Sequence, residues 1–248
     1  MTQPPATGAG GWRELLGPRY LGTSSVLAGG VLLYATNEFL TISLLPSAVA
    51  DIGGQRLYAW VTTVYLVASV VAATTVSALL ARFGARTAYL LAAAVFGVGS
   101  LLCAAAPTME LLLAGRVVQG GGGGVLAGLG YAVISSALPQ QLWTRASALV
   151  SAMWGVGIIL GPAGGGLFAQ FGMWRWAFGT LAAITAVIAA LVPLAIPGRA
   201  DSAATGWNIP VASLLLLGVS AMPCVSKFRT TSCRRALIAG PRGKSGHI

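Results

Sequence analysis

The chain reads as an all-α integral membrane protein, and three observations carry that reading. Of its 248 residues, 56% are hydrophobic and only 8% charged, where a soluble domain carries about a quarter charged residues. Mean hydropathy is +0.81. Six long apolar runs follow one another at 24–48, 58–80, 87–106, 109–134, 146–170 and 176–197. Each reaches the roughly 20 residues that cross about 30 Å of hydrocarbon as a helix. The runs are apolar nearly all round, unlike the one-sided stripe of a soluble helix.

Residues 1–23 form a polar lead-in with Pro4, Pro5, Arg13 and Arg19. They are expected to be a mostly disordered cytoplasmic segment. The first run ends in "AVA" at 48–50, which resembles a small-residue cleavage site behind a signal core. The run is too long for such a core and five more follow, so it is expected to stay as a helix. It contains Asn37 and Glu38, and Glu38 is the only acid well inside a span. The second and third runs are separated by "SALLARFGAR" at 77–86.

The fourth run contains "GRVVQGGGGG", with Arg116 and Gln119 ahead of five consecutive glycines. A phosphate-binding loop would need Lys and then Ser or Thr after the glycines; Val125 and Leu126 stand there. Apolar helix flanks the run on both sides, which argues against a linker. Inside a bilayer the backbone must keep its hydrogen bonds, so glycine serves as a contact surface rather than a helix breaker. Gly120, Gly124 and Gly128 line one face, and Gly157, Gly161 and Gly165 do the same in the fifth run. Pro162 removes a helix hydrogen bond, so a bend is expected there.

The sixth run opens on "WRWAF" at 174–178. Residues 198–226 form a linker and a marginal seventh apolar stretch, "IPVASLLLLGVSAMPCV" at 209–225, and 227–248 a basic tail. The pattern breaks near residue 225, as expected of a premature end or a change of reading frame.

Charged residues at membrane depth are costly unless paired or wetted, which singles out Glu38 and Arg116. Counting along the helices puts both roughly 10 Å below the same surface, beside Asn37 and Gln119. Glu38 is the candidate proton carrier; the alternative is a fixed structural ion pair. The short loops fix the orientation. With the N-terminus inside, cytoplasmic pieces hold Arg13, Arg19, Arg82, Arg86, Arg145 and Arg199, and outer pieces only Arg56 and Arg175, as the positive-inside rule requires. Trp60, Trp174 and Trp176 are expected in the outer interfacial belt, and Trp143 and Trp207 in the inner one.

Several function classes fall away. The net charge of +10 is scattered, with six of fifteen basic residues in the last 22, and lacks the clustering of a nucleic-acid footprint. Cys103, Cys224 and Cys233 have no metal spacing. The single histidine is His247 in the tail, and there is no carboxylate pair for acid–base work, so an enzyme is not expected and no cofactor is implied.

These motifs resemble the N-terminal half of a major facilitator superfamily transporter, in the branch of fourteen-span multidrug:proton antiporters, over about residues 24–197. "GRVVQGGGGG" is similar to the fourth-span motif, placing Arg116, Gln119 and Gly120. "GVGIILGPAGGG" at 155–166 is similar to the fifth-span antiporter motif, with Gly157, Gly161, Pro162 and Gly165 in its positions. "NEFLTISLLPSAVADIGG" at 37–54 resembles the first span, whose acid falls at Asn37 by counting back from Pro46, with Glu38 next to it. "SALLARFGAR" resembles the gating loop between spans two and three, keeping Leu79, Arg82, Gly84 and Arg86. Ser77, Ala81 and Ala85 stand where that pattern has glycine, aspartate and arginine.

The resemblance implies a six-helix half-bundle of 3+3 inverted repeats and alternating access between two halves. It implies efflux of small hydrophobic or cationic compounds in exchange for protons, in the plasma membrane. The expected form is truncated; the alternative is a non-transporting fragment, or a half-transporter that assembles with a second half or a second copy of itself.

Overall fold

The computed structural model describes residues 11–196. Six long helices run up and down: α1 Leu21–Ile52, α2 Tyr58–Ala73, α3 Val76–Ala104, α4 Met109–Ala132, α5 Trp143–Gln170 and α6 Trp174–Ala195. Short helical turns at Trp12–Leu15, Gln55–Leu57, Ile134–Ala137 and Gln140–Leu142 join or precede them. Among the described residues there is no strand. The marginal seventh span at 209–225, Trp207 and the tail at 227–248 lie outside the described residues.

Five of the six, with α2 and α5 counted together with the helical turns that precede them, are long and apolar enough to cross a membrane; the helix outside that group is α4. Its 24 residues suffice in length, but its glycines contribute little hydropathy. The reason is where it sits. α4 packs against α2 and α3 and also touches α1, so it is covered by protein on several sides.

The remaining contacts follow a rule. α1 packs chiefly against α5, α3 against α6, and α6 also against α1. Exchanging the first three helices for the second three turns the α1–α5 pair into the α4–α2 pair, and the α3–α4 pair into the α6–α1 pair. That is the contact pattern of a 3+3 inverted repeat.

Three sequence expectations change. The second helix stops at Ala73 rather than running to 80. The hydroxyls of Thr74 and Thr75 donate to the carbonyls of Val71 and Ala72 at 2.7 Å, capping the break. The stretch expected as a gating loop is mostly helical: Arg82 lies in the first part of α3, and Gly84 interrupts that helix at φ 72°, ψ 169°. Arg86 then sits in the first turn of its main body. The lead-in is not free from residue 11 onward, because Leu15 is completely buried and its carbonyl accepts a hydrogen bond from Ser24 at 3.3 Å. Pro162 lies inside α5, which is helical on both sides of it.

Candidate functional site

The polar residues of the fourth helix meet those of the first at the centre of the bundle. Arg116 is fully buried, and desolvating a guanidinium is costly unless its donors are satisfied. Its Nη1 donates to Asn37 Oδ1 at 3.2 Å and to Gln119 Oε1, while Nε points at the Val61 carbonyl at 3.5 Å. The Tyr65 ring covers the guanidinium at 4.0 Å from its centroid, a favourable cation–π contact in a desolvated place. Gln119 passes the chain on, donating to Ser100 Oγ at 2.8 Å, and Ser100 donates to the Phe96 carbonyl at 2.9 Å.

Asn37, and not Glu38, is therefore the first-helix residue that holds Arg116. The two differ by about 100° of rotation around α1, and that angle separates their roles. Arg116 and Glu38 form no ion pair; the ion pair between described residues joins Arg175 and Asp51. Glu38 is only partly buried. The alternative of a fixed Glu38–Arg116 ion pair is thus replaced by an amide-held arginine beside a carboxylate that forms no salt bridge with it.

Among the described residues, the buried side-chain atoms without a partner are Thr36 Oγ1, Asn37 Nδ2, Glu38 Oε2, the Tyr65 hydroxyl and Arg116 Nη2. Those of Asn37, Glu38, Tyr65 and Arg116 belong to this cluster, while Thr36 lies where α5 packs on α1. Buried polar groups are satisfied by protein, by water or by a ligand. An aromatic wall adjoins the cluster. Tyr34 stacks on Tyr65 at 5.8 Å, Trp154 of α5 meets Tyr34 edge-on at 5.7 Å, and Phe39 meets Trp154 at 6.3 Å. Sequence reasoning passed over these aromatics because a ring in an apolar run carries no signal of its partner. Among the described residues no group of three or more His, Cys, Asp or Glu could hold a metal.

The two glycine ladders face different helices. A side chain at Gly120 would lie 2.5 Å from the Tyr65 carbonyl and one at Gly124 would strike the Ser69 backbone, so these two seat α4 on α2, while a Cβ at Gly128 would lie 2.7 Å from Val76 at the start of α3. Gly157, Gly161 and Gly165 seat α5 on α1: their Cβ positions would fall 2.6 Å from Ala35, 2.5 Å from Phe39 and 2.7 Å from the Leu40 carbonyl. The glycine run does more than one job, since a Cβ at Gly122 would also strike Ala92 of α3 at 2.8 Å and one at Gly123 the Tyr65 hydroxyl at 2.8 Å. Five consecutive glycines let one helix be approached from two sides.

A second polar cluster, at the far end of α1, was not anticipated. Asp51 accepts from Arg175 Nη1 and from Trp174 Nε1, the latter at 3.1 Å, and Arg175 Nη2 reaches the Ala106 carbonyl at 3.3 Å. Trp174 is 2% exposed, so it belongs to this clamp and not to an interfacial belt. Trp60 and Trp176, 52% and 65% exposed, keep surface positions.

An inverted repeat of apolar helices around a buried polar centre is the architecture of a multi-pass membrane protein of the secondary-transporter kind. The chain belongs to the Major Facilitator Superfamily, whose family model matches residues 27–234. It is 64% identical over 223 residues to a probable multidrug-efflux transporter of Mycobacterium tuberculosis strain H37Rv, covering 88% of this chain and 47% of that protein. An MFS-type transporter of the acurin A biosynthesis cluster of Aspergillus aculeatus is 34% identical over 154 residues, covering 61% of this chain and 28% of that one. The crystal structure of a D-xylose–proton symporter superposes with a TM-score of 0.63 at 15% identity, covering 85% of this chain and 53% of the symporter; that likeness concerns the fold. The chain spans about half the length of the first of these relatives.

Proposed function

We propose that these residues form one half of a proton-coupled efflux carrier that exports small hydrophobic or cationic compounds in exchange for protons. The carrier sits in the plasma membrane with its N-terminus in the cytoplasm. The observation that supports this best is the fully buried Arg116, held by Asn37 and Gln119 at membrane depth beside the partly buried Glu38. A transport site must offer polar groups that water, proton or substrate satisfies only in passing.

In this reading Glu38 carries the proton, and Arg116, held by Asn37 and Gln119, supplies a fixed positive field beside it. A cationic substrate and a proton then compete for one carboxylate, which makes their movements opposite. Tyr34, Tyr65 and Trp154 give flat apolar surface and a π face to the substrate. The glycine seats of α5 on α1 and of α4 on α2 keep these helices close at the cavity wall. Arg82, Gly84 and Arg86 form the break that gates the cytoplasmic end. The printed description of the mycobacterial relative as a multidrug-efflux transporter supports the class of substrate. The path in this fold runs between two six-helix halves, so the cavity is completed by a second half.

Extrusion of a fluorescent cationic dye from cells, measured with the chain joined to its second half, tests the reading. Extrusion should follow the proton gradient and be abolished by Glu38→Gln. Extrusion that ignores the gradient, or that survives Glu38→Gln unchanged, would overturn the proton role of Glu38. No extrusion above that of empty cells would favour a half that binds but does not transport.

A further inference from the structure

The first described residues present a surface that neither the core nor the polar centre uses. Gly11 to Tyr20 contain the helical turn Trp12–Leu15 and lead into α1. Leu15 anchors the segment from below, fully buried. Trp12 and Leu16, one helical turn apart, remain 48% and 50% exposed. Arg13 and Arg19 project from the same ten residues, and the Arg19 guanidinium lies over the Tyr20 ring at 5.3 Å. Arg145, from the start of α5, comes to this place as well, since a Cβ at Gly11 would sit 3.8 Å from its Nη1.

The two ends of the bundle differ in charge. The end that carries this segment holds Arg13, Arg19, Arg82, Arg86 and Arg145 against Glu14; the opposite end holds Arg56 and Arg175 against Asp51 and Glu110. Among the described residues, net positive charge therefore gathers where an exposed tryptophan and leucine lie at a helix start. A tryptophan ring suits the level of lipid headgroups, and guanidiniums beside it suit their phosphates.

We infer that Trp12, Arg13, Leu16 and Arg19, with Arg145 of α5, form a binding surface for anionic phospholipid. Trp12 and Leu16 rest on the acyl boundary and the three guanidiniums take lipid phosphate. The inference stands apart from the transport reading, because none of these residues touches the polar centre.

The test uses the full chain in uncharged detergent and two fluorescent probes, phosphatidylglycerol and phosphatidylcholine. Three arginines near an anionic headgroup should favour phosphatidylglycerol by about a hundredfold. The variant Arg13→Gln/Arg19→Gln/Arg145→Gln should lose at least tenfold of that preference, while Arg56→Gln, at the opposite end, should keep it. Should the triple variant fail to fold, the single variants Arg13→Gln and Arg19→Gln carry the test, each with a loss of about fivefold. Equal binding of both lipids, an unchanged preference in the variants, or competition by millimolar inorganic phosphate as strong as that by lipid would overturn the assignment.

Discussion

The turn before the body of α3 and the turn before α6 lie at opposite ends of the bundle and share a sequence pattern. Phe83 and Gly84 precede Arg86; Phe171 and Gly172 precede Arg175. Both glycines have positive φ, 72° and 65°. Beyond them the two helices bury corresponding positions, Ala88 and Tyr89 in α3 and Ala177 and Phe178 in α6. The arginines then part. Arg175 is held by Asp51, the Ala106 carbonyl and the Trp174 ring at 4.4 Å, whereas Arg86 has no acidic partner among the described residues. The difference lies in the helix each turn approaches. α1 ends on Asp51, while its repeat counterpart α4 ends in "VLAGLGYA", residues 125–132, without an acid. The repeat sets the backbone; a single carboxylate decides whether an end is clamped.

The largest effects should come from the surfaces that the two repeats share. Gly124→Leu would drive a side chain into the backbone of Ser69, and Gly161→Leu into Phe39 and Leu40. Overpacking costs typically 1–3 kcal/mol and occasionally more, and here backbone rather than a mobile side chain must move. Both variants should be recovered in much lower yield as monodisperse protein on size exclusion. A well-behaved Gly161→Leu beside a failed Gly124→Leu would show that only one repeat depends on close approach.

The two turns come next. Gly84 occupies a region of φ and ψ open essentially to glycine alone, so Gly84→Val should cost about 3 kcal/mol. Gly172 ends α5 in a Schellman arrangement, with its N–H on the Ala169 carbonyl and that of Met173 on the Phe168 carbonyl. There Gly172→Ala should cost about 1 kcal/mol. Thermal unfolding in detergent ranks the two, and equal losses would mean that the turns are strained alike.

Asp51→Ala should lower the unfolding temperature more than Arg86→Ala, because it strands the indole N–H of the nearly buried Trp174. Trp174→Phe in the Asp51→Ala background should recover part of the loss. An Asp51→Ala protein as stable as the parent would show that the clamp adds nothing to stability. The smallest effect is that of Arg175→Gln. Its pair with Asp51 is about half exposed, so the difference from the parent should be slight and shrink further in 1 M salt.

Much of the fold could be read directly, because hydrocarbon imposes a length and a composition that few other constraints erase. Helix ends were less legible: nothing in "VAATTVSALL" at 71–80 says that the hydroxyls of Thr74 and Thr75 will turn back on their own helix. Of the polar centre, Arg116, Gln119, Asn37 and Glu38 stood out since such groups are rare at membrane depth. Which of Asn37 and Glu38 meets Arg116 was not legible, because adjacent residues on a helix point about 100° apart and only a neighbour gives that angle meaning. Trp174 misled for a related reason: an indole near a helix end suits an interface or a buried acceptor equally, until Asp51, 123 residues away, settles it.

By itself the sequence determined the number and order of the apolar helices and the charge difference between the ends. It also determined the small-residue faces on α4 and α5, since these follow from residue type and spacing along one chain. Only the tertiary structure decided that α4 seats on α2 and α5 on α1, and that Asn37 holds the buried arginine. It also decided that one of two matching turns is clamped. Each of these is a contact between distant segments, set by the packing of whole helices and the rotation at which they meet, and no local stretch encodes that rotation.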